Sequence, residues 1–154
     1  MADQGKSKYS YRETGLSSNM EDYMETIVIL ASENRVVRVK DIARRLGIKM
    51  PSVSAALAKL KEMSLIEYEK YGFVELTGEG QKIADCVLKR HTCLADFFST
   101  VLQIDCEEAD GEACRVEHCL SSKTCSQLHR FLDFYKAEEA DGKEWVERMK
   151  KSLK

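Results

Sequence analysis

The sequence has six cysteines but no Cys-x-x-Cys pair. Structural zinc modules bring cysteines in close pairs and repeat the pair, so this spacing argues against a zinc-finger or zinc-ribbon fold. It also lacks any run of 18 apolar residues, which leaves no candidate transmembrane helix. The opening stretch MADQGKSKYSYRETGL has no apolar segment of the secretory kind. Together these absences predict a cytoplasmic chain with no membrane partner. Thiols stay reduced in that compartment, so an even cysteine count is poor ground for a disulfide framework. No nucleophile-and-base set and no phosphate-cradling glycine loop is legible, so neither an enzyme nor a small organic substrate is expected.

What is present describes an ordinary globular protein. The chain has 154 residues, 44% hydrophobic and 32% charged, enough for one domain or two small ones sharing a core. Its net charge of −2 conceals a polarity. Arg35 to Lys61 holds eight lysines and arginines against Asp41 alone, whereas Asp105 to Glu147 holds twelve acids against five bases. A basic first half implies an anionic partner and an acidic second half a different task.

Residues 1–17 are polar and unpatterned, which predicts a flexible arm. Ser18 or Asn19 should then cap a helix with Glu21 and Asp22 in its first turn and Tyr23, Ile27, Leu30 and Ala31 as its buried stripe. "VKDIARRLG" predicts a short helix with Ile42, Ala43 and Leu46 inward and Gly47 closing it. "MPSVSAALAKLKEM" predicts another, with Pro51 in its first turn and Val53, Leu57 and Leu60 inward. Two short helices joined by a tight glycine turn form a helix-turn-helix. "LIEYEKYGFVELT" follows as two strands around "KYG", and Thr77 caps a long helix running to Gln103. In that order the elements make a winged helix over 18–77. Ser52, Ser54, Ala55 and Lys59 lie on the outward face of the third helix, where small and polar groups can reach base edges and phosphates in a major groove. With Arg44, Arg45, Lys49 and Pro51 they are the candidate contacts to double-stranded operator DNA.

The acidic half reads as helices alone. "EACRVEHCLSSKTC" packs three cysteines, a histidine and two glutamates into fourteen residues. On a helix Cys114, Glu117 and His118 stand at i, i+3 and i+4 and share a face, an incomplete metal site. "SKTCSQLHRFLDFY" predicts a helix with Leu128, Phe131, Leu132 and Tyr135 apolar, and "GKEWVERMKKSLK" a last one carrying Trp145, Met149 and Leu153. Cys125 and His129, at i and i+4, are too few ligands with Cys119 for a structural zinc, and Cys86 and Cys93 read as packing residues. Apolar stripes beyond a DNA-binding unit suit a homodimer interface.

Taken in order, "NMEDYMETI", "MPSVSAALAKL", "YEKYGFVELTGEGQKIA", "LKRH" and "EACRVEHCLS" resemble the metal-dependent repressors related to diphtheria toxin repressor and the manganese transport regulators. The resemblance implies a mainly α fold: a winged helix-turn-helix with a small hairpin wing, then an all-helical metal-binding and dimerisation domain over 78–136, followed by a C-terminal amphipathic helix over 137–154. Longer members carry a third, SH3-like domain, which a chain of this length is not expected to hold. The resemblance also implies a ligand set of Asp22, Glu25, His91, Cys114, Glu117 and His118.

The set is a hybrid. Iron-type members usually carry methionine where this chain has Asp22, and manganese-type members usually carry glutamate where it has Cys114. Carboxylates favour manganese, whereas a thiolate pulls toward iron, cobalt or zinc. The wording "EACRVEH" tips the reading slightly toward Fe2+ over Mn2+, with Co2+, Zn2+ and Ni2+ as surrogates. An iron-type ancillary site would need a glutamate one turn after His91 and a histidine before the cysteine, where this chain has Ala95 and Asp110. The resemblance thus implies repression of metal-uptake genes. The alternative reading is a thiol-based redox repressor, which needs an exposed, readily ionised thiol.

Overall fold

Alternating apolar positions and well-placed helix stops account for the first half of the chain. The computed structural model describes residues 14–69 and 72–153, and the chain divides into two compact units between Leu88 and Lys89. The expected arm lies largely outside the described residues, as do Lys70 and Tyr71 of the expected hairpin turn.

In the first unit, α1 spans Ser18–Glu33. Ser17, not Ser18 or Asn19, occupies the cap position, and its side chain makes no capping hydrogen bond. The buried stripe is Tyr23, Met24, Ile27 and Leu30. Ala31, expected inward, is exposed, whereas Met24, seven residues earlier, is fully buried. α2 (Val39–Leu46) ends at Gly47, whose φ of +66° is a left-handed stop that residues with a Cβ rarely adopt. α3 (Met50–Glu62) begins with Pro51 in its first turn and buries Val53, Ala56, Leu57 and Leu60.

β1 (Ile66–Tyr68) and β2 (Val74–Leu76) pair antiparallel with Ile66 opposite Leu76, and Val37 adds a bridge to Val74. Thr77 then ties the hairpin to α4 (Gly78–Asp96). Its hydroxyl accepts from the Gly80 N–H at 3.0 Å and points at the Ser64 and Leu65 carbonyls at 2.9 and 3.1 Å. Gly80 must be glycine, since a Cβ there would stand 1.8 Å from the Leu65 carbonyl oxygen. One apolar cluster, from Tyr23 through Ile42, Leu57 and Ile66 to Ala84, holds these elements together.

In the second unit the long helix is not continuous to Gln103 as expected. α4 stops at Asp96 and widens into a π-helical turn over Phe97–Val101. The Ser99 hydroxyl donates to the Ala95 carbonyl at 2.9 Å, competing with the backbone for that acceptor. Gln103, at φ +59°, completes the exit. α5 (Cys106–Val116) is capped by Asp105, which accepts from Glu107 N–H at 2.9 Å. A tighter 3-10 turn, Glu117–Cys119, separates it from α6 (Ser122–Ala140), capped by Ser121. α7 spans Glu144–Ser152.

The second core is Cys93, Val101, Leu132, Tyr135 and Val146, flanked by Phe97, Leu128, Trp145 and Met149. Trp145 donates its indole N–H to Glu138 at 2.9 Å, stacks on Phe134, and meets Tyr135 edge-on. Phe131 and Leu153, placed by periodicity on apolar faces, are both exposed. No described helix is long and apolar enough to cross a membrane.

Candidate metal centre and DNA-facing surface

The break between α5 and α6 builds the centre of the second unit. Val116 ends the helix, and the tighter turn that follows carries Glu117 inward until it is fully buried. Its Oε1 lies 3.4 Å from His118 Nε2, and its Oε2 lies 3.4 Å from Nδ1 of His91 on α4. Neither oxygen has a hydrogen-bond donor among the described residues. A carboxylate withdrawn from water without donors is strongly destabilising unless a positive charge compensates it. Two imidazoles around a donor-less carboxylate form a set that first-row divalent ions favour, so these residues fit the metal that the resemblance implies.

Among the remaining expected ligands of this unit, Cys114 is exposed on α5. The single helical face drawn from spacing is therefore divided: Glu117 and His118 belong to the turn, and Cys114 precedes it. In the first unit, Asp22 and Glu25 stand three residues apart on α1, Asp22 half-buried and Glu25 buried. Neighbouring Glu21 is buried too, but Thr14 donates a 2.5 Å hydrogen bond to it. Burial, and then the Asp22 charge, raise the Tyr23 phenol above its ordinary pKa.

The DNA candidates divide in the same way. Lys49, Pro51, Ser52, Ala55 and Lys59 are exposed at the turn and on α3, and Ser54 is half-buried. Arg44 has a side chain 76% exposed, 3.6 Å from Asp41. Arg45 is held by both oxygens of Glu33 at 3.2 Å, which leaves it less available to a phosphate. An open groove of about 700 Å³ runs past Pro51, Ser54 and Tyr68, with Arg38 and Lys40 on its wall. The Arg38 guanidinium sits 5.2 Å above the Phe73 ring of the wing. The helical pattern did not single out Arg38 or Lys40, because they stand at the start of α2 rather than on the face of α3. Their only signal was the basic run.

All six cysteines are thiols: Cys93 and Cys125 are buried, Cys86 is half-buried, and Cys106, Cys114 and Cys119 are exposed.

A helix-turn-helix with a hairpin wing and a basic run, together with a buried carboxylate between two histidines, defines a DNA-binding regulator with a place for a cation. Residues 15–74 match the iron dependent repressor N-terminal DNA binding domain, and residues 77–146 match the iron dependent repressor metal binding and dimerisation domain. The chain belongs to this family of metal-dependent transcriptional repressors. It is 32% identical over 122 residues to an uncharacterised HTH-type transcriptional regulator of Methanocaldococcus jannaschii, covering 79% of this chain and 98% of that one. It is 31% identical over 134 residues to the HTH-type transcriptional regulator MntR of Bacillus velezensis, covering 87% and 94%. Among solved structures, a manganese-dependent transcriptional repressor in complex with manganese aligns with a TM-score of 0.69 at 29% identity, covering 75% of this chain and 53% of that one. The chain spans about half the length of such solved structures. The matched family and relatives lend no support to the rival thiol redox reading.

Proposed function

We propose that this protein is a cytoplasmic, homodimeric repressor of metal-uptake genes that binds double-stranded operator DNA in response to Fe2+ or Mn2+. Its ligand set is Asp22, Glu25, His91, Cys114, Glu117 and His118. The observation that carries the reading is Glu117, fully buried, without hydrogen-bond donors, and flanked by two imidazoles at 3.4 Å. A divalent ion there would supply the positive charge this carboxylate lacks.

The chain's own residues do the rest. α1 contributes Asp22 and Glu25 from the DNA-binding unit, and α4, α5 and the 3-10 turn contribute the others from the dimerisation unit. A ligand set drawn from both units links the ordering of one to the other, so the DNA-competent arrangement holds metal more tightly than the loose one. Arg38, Lys40, Arg44, Lys49 and Lys59 meet phosphates, and Pro51, Ser52, Ser54 and Ala55 approach base edges.

His118→Ala tests the reading. The parent is expected to bind operator in a metal-dependent way that EDTA reverses and peroxide leaves alone. The variant should keep its helical dichroism and lose the metal response. Metal activation retained in His118→Ala removes the proposal, and control by peroxide instead of chelator favours the thiol reading.

A further inference from the structure

Asp110 stands where the iron-type pattern has a histidine, and on the spacing of ligands alone it contributes nothing. The structure gives it a different part. Its Oδ1 lies 2.9 Å from Nε2 of His91, nineteen residues earlier in the chain. The other His91 nitrogen, Nδ1, lies 3.4 Å from Glu117 Oε2. A carboxylate can only accept, so the His91 nitrogen in contact with Asp110 carries the proton. Nδ1 is then the nitrogen left for the buried side, next to the donor-less carboxylate.

Resting on the metal-centre reading above, we propose that Asp110 is a positioning residue for that centre: it fixes the His91 ring by accepting from Nε2–H and so presents Nδ1 to the cation beside Glu117. An imidazole ligand whose far N–H is held by a carboxylate is both oriented and more basic, and loss of such a partner typically lowers metal affinity about 10- to 100-fold.

Burial favours a clean test. The Asp110 side chain is 71% exposed while that of His91 is 13% exposed, so shortening Asp110 removes the hydrogen bond without opening the core. The experiment uses the full-length chain labelled with 15N on histidine, titrated with Zn2+ as a diamagnetic probe, for the parent, Asp110→Ala and Asp110→Asn. In the parent, the His91 ring nitrogens should report a proton on Nε2 and zinc on Nδ1. Asp110→Ala should lose that single assignment and bind zinc at least about tenfold more weakly. Asp110→Asn, which keeps an acceptor oxygen but not the charge, should fall between.

An Asp110→Ala protein with parental zinc affinity and parental His91 nitrogen shifts overturns the proposal while leaving the metal centre standing. Coordination through Nε2 in the parent also overturns it. If zinc moves neither His91 nor His118 in the parent, the metal-centre reading itself fails and this proposal falls with it.

Discussion

Cys114 and Glu117 are three residues apart, yet one side chain is exposed and the other meets no solvent. The proposed ligand set thus joins a thiol to carboxylates. Thiolates stabilise softer ions, and carboxylates stabilise manganese. Replacing Cys114 with glutamate should shift the ranking of activating metals toward Mn(II) by about tenfold, roughly 1.4 kcal/mol, relative to Fe(II), Co(II) and Zn(II). The measurement is operator affinity against free metal at fixed pH. An unchanged ranking would place the thiol outside the ligand set. Free thiols ionise near about pH 8.5 and carboxylates near about 4.3, so the parent's metal response should also weaken more steeply than the variant's as pH falls below neutrality.

Elements differ in how far the sequence reveals them. α2 and α3 were legible because a left-handed glycine, a first-turn proline and a 3.6-residue apolar stripe all agree on their limits. The hairpin and its Thr77 cap were legible for the same reason. The π-helical turn was not, since no apolar spacing or capping residue marks the widening at Phe97–Val101. Nor was the 3-10 turn that buries Glu117, because apolar spacing carries no information about a buried carboxylate. The partnership of His91 with Asp110 joins residues nineteen apart in sequence, which local pattern cannot supply. On the DNA-facing elements the structure separates two arginines that the sequence treats alike. Removing Arg44 or Lys59 should weaken DNA binding across all sequences and make the slope of log affinity against log salt shallower by about 1 each. Arg45→Ala should move that slope less, because Glu33 already holds the guanidinium. Equal slopes for the Arg44 and Arg45 variants would contradict this assignment.

For the whole molecule, the two charged runs seen in the sequence fall in different units with separate cores, the basic run Arg35 to Lys61 in the winged helix and the acidic run Asp105 to Glu147 in the helical domain. Coupling between metal and DNA must be reciprocal. If metal raises operator affinity by a factor, on the order of 5- to 150-fold for couplings of this kind, operator must raise metal affinity by the same factor. Calorimetric titration of metal into the protein, with and without saturating operator, checks that equality, and unequal factors would exclude a simple two-state linkage. The position of Trp145 bears on how the two cores can be watched apart. It is the chain's only tryptophan, packed against Phe134 and Tyr135 and hydrogen-bonded to Glu138. Indole emission therefore originates wholly within the second core, whereas far-ultraviolet dichroism samples the helices of both. A single chain thus carries an intrinsic optical label on its dimerisation domain, and its DNA-binding domain is dark at that wavelength.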